Sequence, residues 1–293
     1  MRPSAPASAA VLATLLSGCA APPEEPLGPP AKETVVAVTT QHQLIRFNAG
    51  QPRKLLSSVA LSGLPAQERI VGLDYRVVRG ELFALGRSGQ LYRIDLATAS
   101  AMPVGTPMTV ALRSERFGFD FNPTVDRIRV VSDAAQNLRL HPETGAVVDA
   151  DPRTDGVQTD GALAYDAADV NAGRTPALVA AAYTYNQDND KITTNYAIDA
   201  RHGTLVTQGS REGAQPVISP NTGRLFTVGA LGTGAFERAD FDISDVRNTA
   251  YAALTPTEGH ATVLYRIDLA SGAASRIGRI GRDETLVGMA IEP

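Results

Sequence analysis

The chain has 293 residues, a formal charge of -4, 43% hydrophobic and 20% charged residues, and a mean hydropathy of -0.08. Those values describe a soluble globule and exclude a disordered chain or a multi-pass membrane protein; the acidic balance also excludes a nucleic-acid binder, which needs a basic surface. One Cys and no Trp exclude disulfide frameworks, CxxC redox sites and cysteine-rich zinc sites, and weaken any reading built on stacking platforms.

The first element is an export signal. Arg2 precedes a small-apolar run, Ala9–Leu16, that ends in Leu16-Ser17-Gly18-Cys19. A short apolar core followed by small residues reads as a secretory signal rather than a membrane span. Leu-Ser-Gly-Cys resembles the lipobox of bacterial lipoproteins, which implies cleavage after residue 18 and lipidation of Cys19. Ala20 rather than Asp follows the Cys, so the expectation is an exported protein anchored to the cell envelope, at the outer membrane. Residues 19–33 hold the lipidated Cys and a Pro-rich tether, with too much Pro for helix or strand.

From Thr34 onward the signal is β. Apolar runs of strand length, such as Glu81–Leu85, Asp126–Val131 and Arg224–Val228, alternate with polar residues between Gly, Pro, Asn and Asp. Leu91-Tyr92-Arg93-Ile94-Asp95-Leu96-Ala97 recurs as Leu264-Tyr265-Arg266-Ile267-Asp268-Leu269-Ala270. A second motif precedes such strands: Val71-Gly72-Leu73-Asp74-Tyr75, Phe117-Gly118-Phe119-Asp120-Phe121, Gly161–Tyr165, Val217–Pro220 and Val287-Gly288-Met289-Ala290-Ile291. A repeat of roughly 40–50 residues with four strands is the mark of a propeller blade. The reading is an all-β β-propeller over 34–293, a single domain of five four-stranded blades, with six or seven as alternatives. Units start near 71, 117, 161, 214 and 287, and the C-terminal strand completes the N-terminal blade. The longest step is assigned an insertion near 231–262, whose Phe236, Phe241, Ile243 and Tyr251 are candidates for an exposed apolar patch.

The runs Phe117–Pro123, Asp126–Ser132, Gln136–Arg139, Ala180–Thr184 and Val287–Met289 resemble the signature of the bacterial family of unknown function numbered 4394. The resemblance implies a repetitive β domain of secreted or envelope proteins and carries no activity onto any residue.

Topology points to one face of the disc, where loops between second and third strands join the links between blades; propeller sites commonly lie there, over the central channel. The candidate binding residues on that face are His42, Arg87, Gln90, Asp133, Gln136, Asn137, Asp188 and Asp190, with His260 nearby and His141 and His202 in turns on the other face. The carboxylates of Asp149–Asp160 and Asp188–Asp190 are candidate Ca²⁺ ligands, hard oxygen donors without EF-hand spacing, and no other cofactor is implied. Arg127 and Arg129 read as partners of turn carboxylates, with anion binding as the lesser reading. The favoured function is a non-catalytic, monomeric module that meets an envelope protein or glycan. A hydrolase or lyase with a carboxylate or His site over the channel, and a Ca²⁺-stabilised structural propeller, remain the alternatives.

Overall fold

The computed structural model describes residues 26–293; the expected signal peptide and Cys19 lie outside them. Short apolar runs broken by turn formers fold into strands because each strand buries one or both faces against a neighbouring sheet. Blade one holds β1 (Thr34–Thr39), β2 (Gln43–Asn48) and β3 (Leu55–Ala60). Blade two holds β4 (Ile70–Arg76), β5 (Glu81–Gly86), β6 (Leu91–Asp95) and β7 (Ser100–Val104). Blade three holds β8 (Phe117–Asn122), β9 (Arg127–Ser132) and β10 (Asn137–Leu140), with its fourth strand reduced to a bridge between Leu140 and Val147. Blade four holds β11 (Ala164–Tyr165), β12 (Leu178–Tyr183), β13 (Asn195–Asp199), β14 (Thr204–Gln208) and β15 (Arg224–Ala230). Blade five holds β16 (Phe236–Ile243), β17 (Ala250–Pro256), β18 (Val263–Ile267) and β19 (Ala274–Arg279). The last strand, β20 (Leu286–Ile291), pairs antiparallel with β1 and becomes the innermost strand of blade one.

The innermost strands β20, β4, β8, β12 and β16 pack in that order around one axis and return to β20. The protein is therefore a five-bladed propeller closed by its own C-terminal strand, which leaves no sheet open at the seam. Five apolar clusters hold it, one at each blade junction. Strand alternation serves two junctions at once: Val36 and Val38 of β1 face blade two, while Val35 and Ala37 face blade five.

Glycine recurs in the innermost strands because they converge. A Cβ on Gly118 would sit 2.5 Å from the amide nitrogen of Ala181, and one on Gly72 2.4 Å from Cβ of Phe119.

Two expected unit starts are out of phase. Gly161–Tyr165 leads into β11, which adds in parallel to β15 at the outer edge of blade four, and Val217–Pro220 lies in the loop after β14. The innermost strands there are β12 and β16. Segment 231–262 is accordingly not an insertion: it contains β16 and β17, the two inner strands of blade five. Phe236, Phe241, Ile243 and Tyr251 are buried in blade-junction cores and form no exposed patch. The tether also ends earlier than its composition suggests. Gln51 Nε2 donates to the Gly28 carbonyl (2.8 Å), Asn48 exchanges hydrogen bonds with Ala31, and the Tyr251 hydroxyl donates to Glu33, so residues 28–33 pack on the folded domain.

Candidate functional site: the axis and the clefts around it

The side of an innermost strand that faces the axis has no strand partner, so its N–H groups need other acceptors. Aspartates supply them from the preceding blade. Asp74 of β4 accepts from the Phe121 amide of β8 (2.7 Å), Asp120 of β8 from Tyr183 of β12 (3.0 Å), and Asp242 of β16 from Ile291 of β20 (2.6 Å). The residues preceding Tyr183 and Ile291 are Ala182 and Ala290, so five blades place three aspartates and two alanines at one level of the axis. One carboxylate oxygen from each of Asp74, Asp120 and Asp242 lies within 4.8 Å of the others, all three residues being buried. Ca²⁺–oxygen bonds of about 2.3–2.6 Å fit that span.

Burial pushes the carboxyls of Asp74 and Asp120 well above the usual range, and their negative neighbours add to it. Asp242 is pushed up to about 7, again chiefly by burial, with its backbone hydrogen bonds opposing. Tyr185 sits above this level, its phenol raised by burial and by the field of the three carboxylates. At the other mouth, lined by the starts of all five innermost strands, burial pushes Asp240 up to about 7 while Arg238 opposes. Arg116 crosses this mouth, bonding Asp133 with Nε (2.9 Å) and the Glu237 carbonyl with NH1 (3.2 Å).

The eight candidate residues are not gathered into one site. His42, Arg87, Gln90, Asp133, Gln136 and Asn137 lie at the second–third strand loops, on the face of the blade links. Most are occupied structurally. Gln90 binds the Leu91 and Val104 carbonyls, Gln136 clasps Ala111 and Arg113, and Asn137 joins Gly161, Pro220, Arg129 and Gln208. Arg87 pairs with Glu115. Asp188 and Asp190 lie on the opposite face, because β12 is the first strand of its blade and its following loop is a first–second connection. The same shift of phase brings His202, in the β13–β14 turn, onto the linker face, where its Nδ1 lies 3.1 Å from Asp199. His141 is on the opposite face, as expected. In the 149–160 segment, Asp149 and Asp151 accept from their own loop and Asp160 bridges Arg129 and Arg139. Among the described residues, the group with metal-ligand spacing is the axial trio, and none of its members comes from the loops expected to bind Ca²⁺.

The opposite face carries three adjoining clefts. One of 380 Å³ between blades three and four is walled by Arg127, Arg129, Arg139 and Tyr183. A second of 320 Å³ is bordered by Tyr185, Asp190 and Asp245, and a third of 230 Å³ by Val78, Phe121 and Tyr185. First–second loops on this rim expose Val78, Val125 and Val246.

Ring closure, blade number and axial hydrogen bonding define a five-bladed β-propeller with a polar axis. The family model described as domain of unknown function DUF4394 matches residues 43–290, and the chain belongs to that family. No curated protein matches it. Among solved structures, it is similar to a chain of the nidogen/laminin complex (12% identity, TM-score 0.42, covering 89% of this chain and 98% of that one). It is also similar to a Lactobacillus plantarum protein (14%, TM-score 0.36, 88% and 71%) and to Kuenenia stuttgartiensis hydrazine synthase (12%, TM-score 0.39, 72% of this chain). This chain covers 49% of the hydrazine synthase chain.

Proposed function

We propose that this protein is a non-catalytic binding module of the bacterial cell envelope, exported, anchored through a lipid on Cys19 at the outer membrane, and monomeric. The observation that carries the reading is the use made of the axial carboxylates. A catalytic carboxylate must be free to meet substrate, whereas Asp74, Asp120 and Asp242 are 3–6% exposed and each already serves a backbone N–H of the next blade. The accessible concave surface is bordered instead by guanidiniums, which hold and orient a ligand without exchanging protons near neutral pH. The partner in this reading is an envelope protein or glycan that meets the rim of exposed valines and the clefts between them.

The full-length chain, incubated in uncharged detergent with isolated envelope glycans and peptides, is expected to retain a ligand that mass spectrometry recovers chemically unchanged. A ligand whose mass changes with time in proportion to protein added would make the protein an enzyme and overturn the reading.

A second reading keeps calcium and moves it to the axis. Three carboxylates from three blades within one coordination span favour a propeller whose ring is neutralised by a divalent cation rather than by protons.

A further inference from the structure

We propose that the cleft between blades three and four is an oxyanion-binding site, taking a phosphate or carboxylate group on Arg127 and Arg139 with buried Arg129 as its floor. The inference rests on the binding-module reading and names the ligand chemistry of one of its clefts.

Arg129, on β9, is 2% exposed at its side chain and almost saturated. Its Nε donates to the Tyr183 hydroxyl (3.2 Å), NH1 to Asn137 (2.7 Å) and Asp160 (2.6 Å), and NH2 to Asn221 (2.6 Å). Arg139, on β10, forks onto the same Asp160 through Nε (2.8 Å) and NH2 (2.7 Å), which leaves both NH1 hydrogens without an acceptor among the described residues. Arg127 spends only NH1, on the carbonyls of Val125 and Asp126, and its Nε and NH2 have no acceptor there. The adjacent Asp126 carboxylate is bound to Arg76 instead.

The count of charges separates a site from scaffolding. A network serving the fold alone gathers compensating charge, as Arg76 does with Asp126, Glu81 and Glu143. Here Arg129 and Arg139 share one carboxylate, Asp160, and Arg127 adds a third guanidinium bonded only to carbonyls, in a chain whose formal charge is -4. Uncompensated like charges in a half-desolvated cleft repel, and an arriving anion relieves that cost. The unused donors are guanidinium N–H groups, whose planar fork matches the oxygens of carboxylate and phosphate. The cleft holds 380 Å³, room for more than the anionic group, and Val125, Val148 and Pro220 give the rest of the ligand an apolar wall.

Isothermal titration of the full-length chain in uncharged detergent, with inorganic phosphate and separately with citrate, tests the site. Binding of at least one anion is expected, and whichever binds tells phosphate from carboxylate. Arg127→Gln and Arg139→Gln should each weaken it about tenfold, and Arg153→Gln should leave it unchanged, since Arg153 is 88% exposed on a loop outside the cleft. Arg127 bonds only to carbonyls, so Arg127→Gln decides the matter if Arg139→Gln fails to fold. Absence of binding by both anions, or equal weakening by Arg153→Gln, overturns the site. Either outcome is distinct from ligand turnover, which would overturn the non-catalytic reading while leaving oxyanion binding intact.

Discussion

At the scale of the residue, each position of the Gly-x-Asp pattern has a physical task. The glycine admits the next innermost strand at the crowded axis, and the aspartate accepts that strand's unpaired N–H. The arrangement sets three carboxyls against one another in a buried place, and burial raises all three above the usual carboxylate range. The pH dependence follows from the sign of the shift. An unfolded Asp titrates near 4 and folded Asp242 at about 7, so between those values the native state keeps a proton that the unfolded state has released. This stability is present in full below about pH 4, falls as pH rises towards 7, and levels off above. Urea unfolding at about pH 4 and about pH 8 should show Asp242→Asn gaining on the wild type by up to a few kcal/mol at the higher pH. Added Ca²⁺ separates the two means of neutralisation: under the cation reading it stabilises the wild type at high pH and not the variant, and no effect on either ends that reading. Asp74 and Asp120 stand in quoted sequence motifs, yet their convergence was not legible there, because residues 74, 120 and 242 meet only when the ring closes.

At the scale of the element, the strands and the number of blades were readable, and the phase of blade four was not. The repeated Tyr-Arg-Ile-Asp strand and the Gly-x-Asp strand located blades two and three, where turn, apolar alternation and spacing agree. In β12 the motif is spelled Leu-Val-Ala-Ala-Ala-Tyr, without Gly or Asp, so local pattern placed the unit start at Gly161, a short outer strand. That shift turned β16 and β17 into an apparent insertion and put Asp188 and Asp190 on the wrong face. The closing strand offers a direct test at this scale. β20 pairs with β1 and packs against β4 and β16. Truncation before Leu286 opens the ring and exposes the edge of β1; thermal melts should lose their single cooperative transition and size-exclusion should show aggregates. Glu292→Gln, which breaks only a partly exposed pair with Arg46, should cost less than about 1 kcal/mol. A truncated chain that melts like the wild type would mean the closure is not what holds the ring.

At the scale of the whole molecule, the two faces divide the work. The linker face is tied by Arg116, Gln136 and Asn137, and the two of these that were candidate ligand contacts, Gln136 and Asn137, are hydrogen-bonded within the fold. The opposite face holds the arginine cleft, and the chain arrives on it, since β1 runs antiparallel to β20 and Gly28–Glu33 pack at that rim. The nine Cα–Cα steps from Cys19 to Gly28 reach at most about 30 Å when fully extended, so a lipid on Cys19 would hold this face near the membrane. Cys19→Ala should abolish labelling by a fatty-acid analogue and release the protein to the soluble fraction; labelling that persists would refute the anchor.

What the sequence determined by itself was local or periodic: the strands, the repeat, the family likeness and the closing of the first blade by the last strand. Alternation and turn chemistry act between near neighbours and leave their pattern in the chain. Which strand lies innermost in each blade, which loops share a face, and which charges meet were decided only by the tertiary structure. Those relations join residues as far apart as Asp74 and Asp242, and Arg129 and Asn221, whose proximity comes from ring geometry and has no spacing to be read.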